Sequence, residues 1–178
     1  MAFTDQNRTT MDRLDAVLRQ SDPFQNVPLT LEGYKSWYSL LLGSLTVLIG
    51  DADEVVLGHA DYDEASDNAR LVVFTRALIV VADVVGASGE SAEFSSRASS
   101  RRAIRSLDVR VSDRHDVGSW GRAARTWPGS LMFTVEYSTF PEPLKFEALS
   151  YNPWRPELEA DAMELLAGLR KDLADSPQ

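Results

Sequence analysis

The feature that most constrains the fold is a pair of apolar segments at residues 71–85, which read LVVFTRALIVVADVV. Val, Ile and Leu dominate both segments, and only Thr75 and Arg76 separate them. Short β-branched runs with a polar break are typical of two neighbouring strands. The break lacks the Asn-Gly or Asp-Gly pair of the tightest hairpins, so the prediction depends on the flanking runs. We expect a hairpin made of residues 69–74 and 77–84.

Five further segments have strand character, most of them through alternation of apolar and polar residues. They are residues 54–60, 92–97, 107–111, 131–137 and 144–148. Arg105 falls in the apolar register of Leu107 and Val109, which predicts a strand start at Ser106 or a bulge. Residues 112–129 lack the alternation and are predicted to be a long connection.

Three segments have helical periodicity. Residues 9–20 and 30–50 precede the strands, and residues 156–173 follow them with a single leucine stripe. The apolar surface of the second helix is wider than one stripe, which predicts contact with the rest of the fold or with a second copy of the chain. The candidate residues for self-association are Trp37, Leu40, Leu41, Val47 and Leu48.

Seven strands followed by one terminal helix resemble the pleckstrin-homology-like superfold, especially its bacterial members. The local resemblance lies in residues 69–83, ARLVVFTRALIVVAD, and in residues 104–111, IRSLDVRV. It covers about residues 54–174 and implies an α+β fold. In that fold a seven-stranded antiparallel bent sheet forms an open barrel that a C-terminal helix caps. The expected domains are a helical extension at residues 1–53, with two helices, and a barrel at residues 54–178.

The resemblance implies binding or scaffolding more often than catalysis. Relatives that bind phosphoinositides use Lys and Arg around the first loop between strands. In this chain that loop is residues 61–68, DYDEASDN, with four acids and no base. Because a carboxylate cluster repels phosphate, no phosphoinositide site is expected there.

The composition excludes or disfavours several further classes of protein. The chain has 178 residues and no cysteine, which excludes disulfides and thiolate chemistry and fits a cytoplasmic location. The longest uncharged stretch, residues 36–50, is shorter than the roughly 20 residues of a membrane-spanning helix. A net charge of −9 makes nucleic acid an unlikely partner for the whole molecule.

Charge is unevenly distributed along the chain. Residues 51–68 carry seven acids and no base, whereas residues 97–125 carry eight arginines against three aspartates. Arginine binds carboxylate and phosphate in a bidentate manner, and tryptophan is typical of protein interfaces. The candidate partner-binding residues are Arg97, Arg101, Arg102, Arg114, Arg122, Arg125, Trp120 and Trp127. The alternative is that these arginines pair with acids of the same fold, notably those of residues 51–68 and the last helix.

No motif indicates catalysis or a cofactor. His59 is interpreted as a strand residue with an ordinary hydrogen bond, and His115 as part of a solvated turn. The acids at residues 51–54 lack the order of a calcium-binding loop, and the glycines fit no phosphate-binding loop. We therefore expect no catalytic residue, no metal and no cofactor.

The leading hypothesis is a non-enzymatic interaction domain. It binds an acidic protein partner through the Arg/Trp-rich surface, or it self-associates through the N-terminal helices. The first alternative is peripheral binding to anionic lipid, which the acidic first loop disfavours. The second alternative is an enzyme whose site the sequence does not reveal.

Overall fold

The computed structural model describes residues 4–21, 24–30, 33–51, 54–117, 123–150 and 156–176. It contains three α-helices and nine strands in this described part, and the α+β prediction is confirmed. The helices are α1 (Asp5–Leu18), α2 (Ser36–Ile49) and α3 (Pro156–Asp175). The strands are β1 (Leu29–Thr30), β2 (Gly33–Tyr34), β3 (Val55–Asp63), β4 (Asn68–Thr75), β5 (Leu78–Val85), β6 (Glu93–Ser100), β7 (Ile104–Val117), β8 (Ala123–Tyr137) and β9 (Leu144–Ser150).

The seven predicted strands correspond to β3–β9, but the prediction of a single seven-stranded sheet that forms an open barrel is wrong. They form an antiparallel four-stranded sheet, β3-β4-β5-β6, and an antiparallel three-stranded sheet, β7-β8-β9. The chain passes from one to the other through the short 3-10 helix Arg101–Ala103. In the described residues no ladder forms between β6 and β7.

The chain divides into two compact units, residues 1–100 and residues 101–178. In the first unit, α1 contacts β3 and α2 contacts β5 and β6. One core joins these helices to the sheet, and it includes Leu14 and Trp37 from the helices and Leu71 and Val80 from the strands. The boundary predicted between residues 53 and 54 falls inside this unit, and the division into domains stays a prediction.

The helices of the first unit begin and end for identifiable reasons. Thr4 caps α1, because its hydroxyl accepts the amide hydrogen of Asn7 at 3.3 Å. Helix α2 begins later than predicted, since β1 and β2 take up part of the segment that precedes it. Gly50 ends α2 with a φ of 84°, a conformation that favours glycine.

The second unit contains the three-stranded sheet and α3, which contacts β7 and β9. Buried aromatic residues line β8 and β9, and the rings of Phe133 and Phe146 meet edge to face at 5.4 Å between centroids. On α3 the buried residues Leu165 and Leu169 belong to the predicted stripe. Across the described ranges, no helix is both long enough and apolar enough to cross a membrane.

Candidate interaction site

Arg101 does not lie on a surface that could capture a partner. Its side chain is 5% exposed, and its guanidinium binds the carboxylate of Asp172 on α3. Both Nε and Nη2 donate to the same oxygen, Oδ2, at 2.9 and 2.8 Å. Arg101 therefore anchors α3 to the 3-10 helix that opens the second unit.

The surroundings of this ion pair are tight. A Cβ atom on Gly168 of α3 would meet the Arg101 guanidinium, at 3.2 Å from Cζ and closer to Nη2. The hydroxyl of Tyr137 is buried and has no hydrogen-bond partner among the described atoms. Burial raises the pKa of Tyr137, and the nearby charge of Arg101 offsets this only in part. The cluster is a packed internal contact.

Arg97 has an internal partner as well. Its Nη2 atom lies 3.0 Å from Oδ2 of Asp83, whose other oxygen accepts from Nε of Arg70 at 2.6 Å. Two arginines from neighbouring strands thus flank one aspartate on β5. For Arg97 and Arg101 the alternative reading, pairing with acids of the same fold, is supported, although Asp83 lies outside the acidic segment that the sequence suggested.

Among the exposed arginines of the second unit, Arg110 lies near an acid, with its Nε atom 3.7 Å from Oδ2 of Asp108. Arg102, Arg105 and Arg110 are exposed, and the ladder shifts register between Ile104 and Ser106, which confirms a bulge at Arg105. On β8, Met132 pairs with Arg110 of β7 on one side and with Glu147 of β9 on the other. Thr134 likewise lies between Asp108 of β7 and Lys145 of β9. This sheet face therefore carries both signs of charge.

The predicted connection at residues 112–129 is wrong, because both strands continue into it. Residues 114–117 of β7 pair with residues 123–126 of β8, and we call this two-stranded segment the ribbon. Ladder hydrogen bonds involve only the backbone, so a strand pair can form without apolar alternation. The sequence signal that could have indicated it is the glycine pair Gly118 and Gly121, which is typical of a hairpin turn.

The ribbon is offset from the rest of its sheet. The register shifts between Ser112 and Arg114, so that three residues of β8, Trp127 to Gly129, stand against Asp113. Strand β9 pairs with β8 only from Ser130 onward, so within the described chain the ribbon has no third strand. Bulges bend the strand that contains them, and Pro128 cannot donate a ladder hydrogen bond.

The ribbon contains several of the predicted partner-binding residues. Arg114 is the backbone partner of Thr126, and Arg125 is the partner of His115, which belongs to a strand and not to the predicted turn. Trp127 lies in the bulge at the base of the ribbon. Trp120 and Arg122 lie outside the described residues.

The predicted self-association residues are divided between the core and the surface. Trp37 and Leu41 are buried in the core of the first unit, so they are not available to a partner without unfolding. Leu48 is half-buried at the edge of that core. Leu40 and Val47 are 67% and 77% exposed, which is unusual for large apolar side chains.

His59 lies on β3 and is partly buried. Its Nδ1 atom is 3.5 Å from the hydroxyl oxygen of Ser21, in keeping with the predicted hydrogen bond of a strand residue. Burial lowers the pKa of His59 below the 6.5 of a free imidazole, against the opposing charge of Asp61. Its surroundings hold it neutral near physiological pH.

Two aspartates of the acidic segment at residues 61–68 accept hydrogen bonds from groups within the chain. Asp63 accepts hydrogen bonds from the amide of Ala65 and the hydroxyl of Ser66. Asp67 accepts from the backbone and the hydroxyl of Ser88, and from the hydroxyl of Tyr62. The Ser88 amide hydrogen bond is the main reason why the pKa of Asp67 is lowered. These contacts link the β3–β4 loop to the β5–β6 loop, which the sequence did not suggest.

Among the described side chains, no group of three or more His, Cys, Asp or Glu residues could hold a metal ion. Comparison of the chain with protein-family models, curated proteins and solved structures finds no match.

Proposed function

We propose that the chain is a non-enzymatic interaction module with a pleckstrin-homology-like arrangement of seven strands and a C-terminal helix. The order of β3–β9 and α3 supports this proposal, since it is the order on which the resemblance depends. The contact element is the ribbon, and the partner is a protein with an acidic surface. A cytoplasmic location stays a prediction from the cysteine-free sequence.

The observation that carries the proposal is that, among the residues the structure describes, no third strand pairs with the ribbon. A two-stranded ribbon is at best marginally stable by itself in water, so contact with another surface stabilises it. Its four residue pairs include Arg114, His115 and Arg125, with Trp127 in the adjoining bulge. Arginine beside tryptophan is the composition of interface anchors, and arginine favours carboxylate.

Two of the candidate arginines already form ion pairs within the chain. Arg97 and Arg101 already bind Asp83 and Asp172. The mixed charge of the outer face of the second unit's sheet argues against broad docking on an anionic lipid surface. We therefore assign the partner surface to Arg114 and Arg125 of the ribbon and to Arg122, which directly precedes β8 in the sequence.

A charge-reversal experiment tests this assignment. The variant R114E/R125E is compared with R105E/R110E, which makes the same charge change on exposed arginines of β7 outside the ribbon. Binding of a fluorescent peptide of alternating Glu and Gly is measured by anisotropy, in parallel with flotation of phosphatidylserine vesicles. We expect the ribbon variant to lose about tenfold in affinity and the control to lose much less.

Three outcomes count against the proposal. Equal loss in both variants shows that binding follows net charge rather than the ribbon. Binding to vesicles without binding to the peptide favours the lipid alternative. No binding of the wild type to the peptide at low salt overturns the proposal of an acidic partner.

A second candidate function is self-association, and the exposure of Leu40 and Val47 favours it. These residues lie on α2, whose sequence from residue 36 to residue 50 contains no charge. Two copies of an acidic chain meet with least repulsion where neither presents a charge. An uncharged helix face with two large exposed apolar side chains meets that condition.

A further inference from the structure

Strand β6 is an outer strand of the four-stranded sheet and is well formed along its whole length. All eight of its residues pair with β5, from Leu78 with Ser100 to Val85 with Glu93, without a register shift. Within the described ranges no strand pairs with its other edge. Its sequence, EFSSRASS, contains no proline and no lysine, and its two charged residues, Glu93 and Arg97, have opposite signs.

The opposite edge of the same sheet is protected. Strand β3 has a register shift between Val55 and Leu57, and a bulge of this kind hinders pairing with a further strand. Its Ala60 amide donates to the hydroxyl of Ser21 at 2.9 Å, so part of the edge is already satisfied from within the chain. The sheet therefore has one blocked edge and one regular edge.

The charges on β6 are complementary to those of a second β6. Glu93 and Arg97 are exposed and lie two residues on either side of Ser95. In an antiparallel pair of identical strands with a twofold axis at Ser95, Glu93 of each copy stands opposite Arg97 of the other. The side chain of Arg97 binds Asp83 of its own chain and is still 49% exposed, so a second carboxylate can reach it. Opposite charges at directly facing positions stabilise strand pairing, and two such pairs form at once.

Helix α2 adds an apolar contact on the same side of the unit. It contacts β5 and β6, and the hydroxyl of Ser44 lies 2.9 Å from that of Ser96 on β6. Leu40 is one turn before Ser44 and Val47 is almost one turn after it, so both lie on the flank of α2 nearest this edge. These are the two exposed apolar side chains of the helix.

We infer that two copies of this chain associate through their β6 edges, antiparallel about Ser95, into a continuous eight-stranded sheet. The α2 flanks with Leu40 and Val47 meet across the same axis. This inference rests on self-association, the second candidate function, and names its surface. It involves only the first unit and is independent of the ribbon.

The mass of the protein in solution and three variants test the inference. Sedimentation velocity over a range of concentrations is expected to show a reversible dimer of twice the 19.7 kDa of one chain. E93K places a cation opposite Arg97 of the other copy and weakens the dimer by about tenfold. V47D weakens it by introducing a charge into the apolar contact. E64K makes the same charge change in the exposed β3–β4 loop and leaves the dimer intact.

Cross-linking tests the register directly. The chain has no cysteine, so S95C introduces a single thiol at the proposed axis. Directly facing residues of antiparallel strands have Cα atoms about 4.5–5.5 Å apart, within the range of a disulfide. Mild oxidation should therefore convert S95C to a covalent dimer, while A65C, in the exposed β3–β4 loop, stays monomeric under the same conditions.

The outcomes separate this inference from the candidate function on which it rests. A dimer that responds to V47D but not to E93K, and that S95C does not cross-link, overturns β6 pairing and leaves self-association through α2. A wild-type chain that stays monomeric at every concentration overturns both. A dimer weakened equally by E93K and E64K also overturns the strand pairing.

Discussion

At the scale of single residues, Arg101 is unusual because it is a charged side chain that lies buried in the fold. A cationic side chain is almost never fully buried unless it is paired, and here the carboxylate of Asp172 supplies the partner. The sequence identified Arg101 as one of eight arginines in a basic segment. It could not separate this arginine from its neighbours, because Asp172 lies 71 positions away and only the folded chain brings the two together.

The Arg101–Asp172 pair should be costly to break. We expect R101M to lower the free energy of unfolding by about 3–5 kcal/mol, because it leaves a largely buried carboxylate without its cation. Urea unfolding measures the change. R102M, at the exposed neighbour, is the control and should change stability little. The double variant R101M/D172L should recover much of the loss, and no recovery would show that the charge pairing is not the cause.

His59 should make stability depend on pH. Its pKa is lowered by burial, so below pH 6.5 the unfolded chain binds more protons at this site than the folded chain does. The contribution is therefore fully present above pH 6.5 and is lost as the pH falls towards the lowered value. We expect wild type to lose more unfolding free energy than H59Q on acidification, measured by urea unfolding on both sides of pH 6.5. Parallel curves for the two proteins would contradict this.

At the scale of elements, the predictions succeeded where one face of a strand or helix is buried. The alternation of Leu131, Phe133 and Val135 marks a strand with a buried face, and the leucine stripe marks α3. The sequence did not predict the ribbon or the late start of α2, because both depend on backbone pairing between strands. The ribbon depends on backbone pairing between residues 114–117 and residues 123–126, and residue types along one segment do not record such pairing.

The contact between the two hairpin loops depends on Asp67. This residue has a positive φ of 54° and accepts hydrogen bonds from Ser88 and Tyr62. We expect D67A to lower the Tm by a few degrees, because it removes these acceptors from a turn that also disfavours alanine. D67N keeps an acceptor and tolerates the backbone conformation, so its Tm should stay close to wild type. A calorimetric scan in which both variants fall equally would show that the acceptor is not responsible.

At the scale of the whole molecule, the periodicity of the sequence predicted the fold class better than it predicted how the strands divide between sheets. The α+β class followed from two kinds of periodicity that are both present in the sequence. The division of the strands into sheets of four and three did not follow, because it depends on backbone pairing, which residue types along one segment do not record. Likewise, the sequence showed that α2 is too apolar to stand alone, but not that Trp37 and Leu41 reach the core while Leu40 and Val47 do not.

The blocked edge of β3 has a consequence for how large an assembly of this chain can become. A sheet with two regular edges can recruit copies from either side and grow into a fibre. Here Ser21 and the irregularity near Val55 close one side, and pairing through β6 uses the other side in both copies. Within the four-stranded sheet, strand addition therefore has no second starting point, and a pair formed through β6 does not extend through β3.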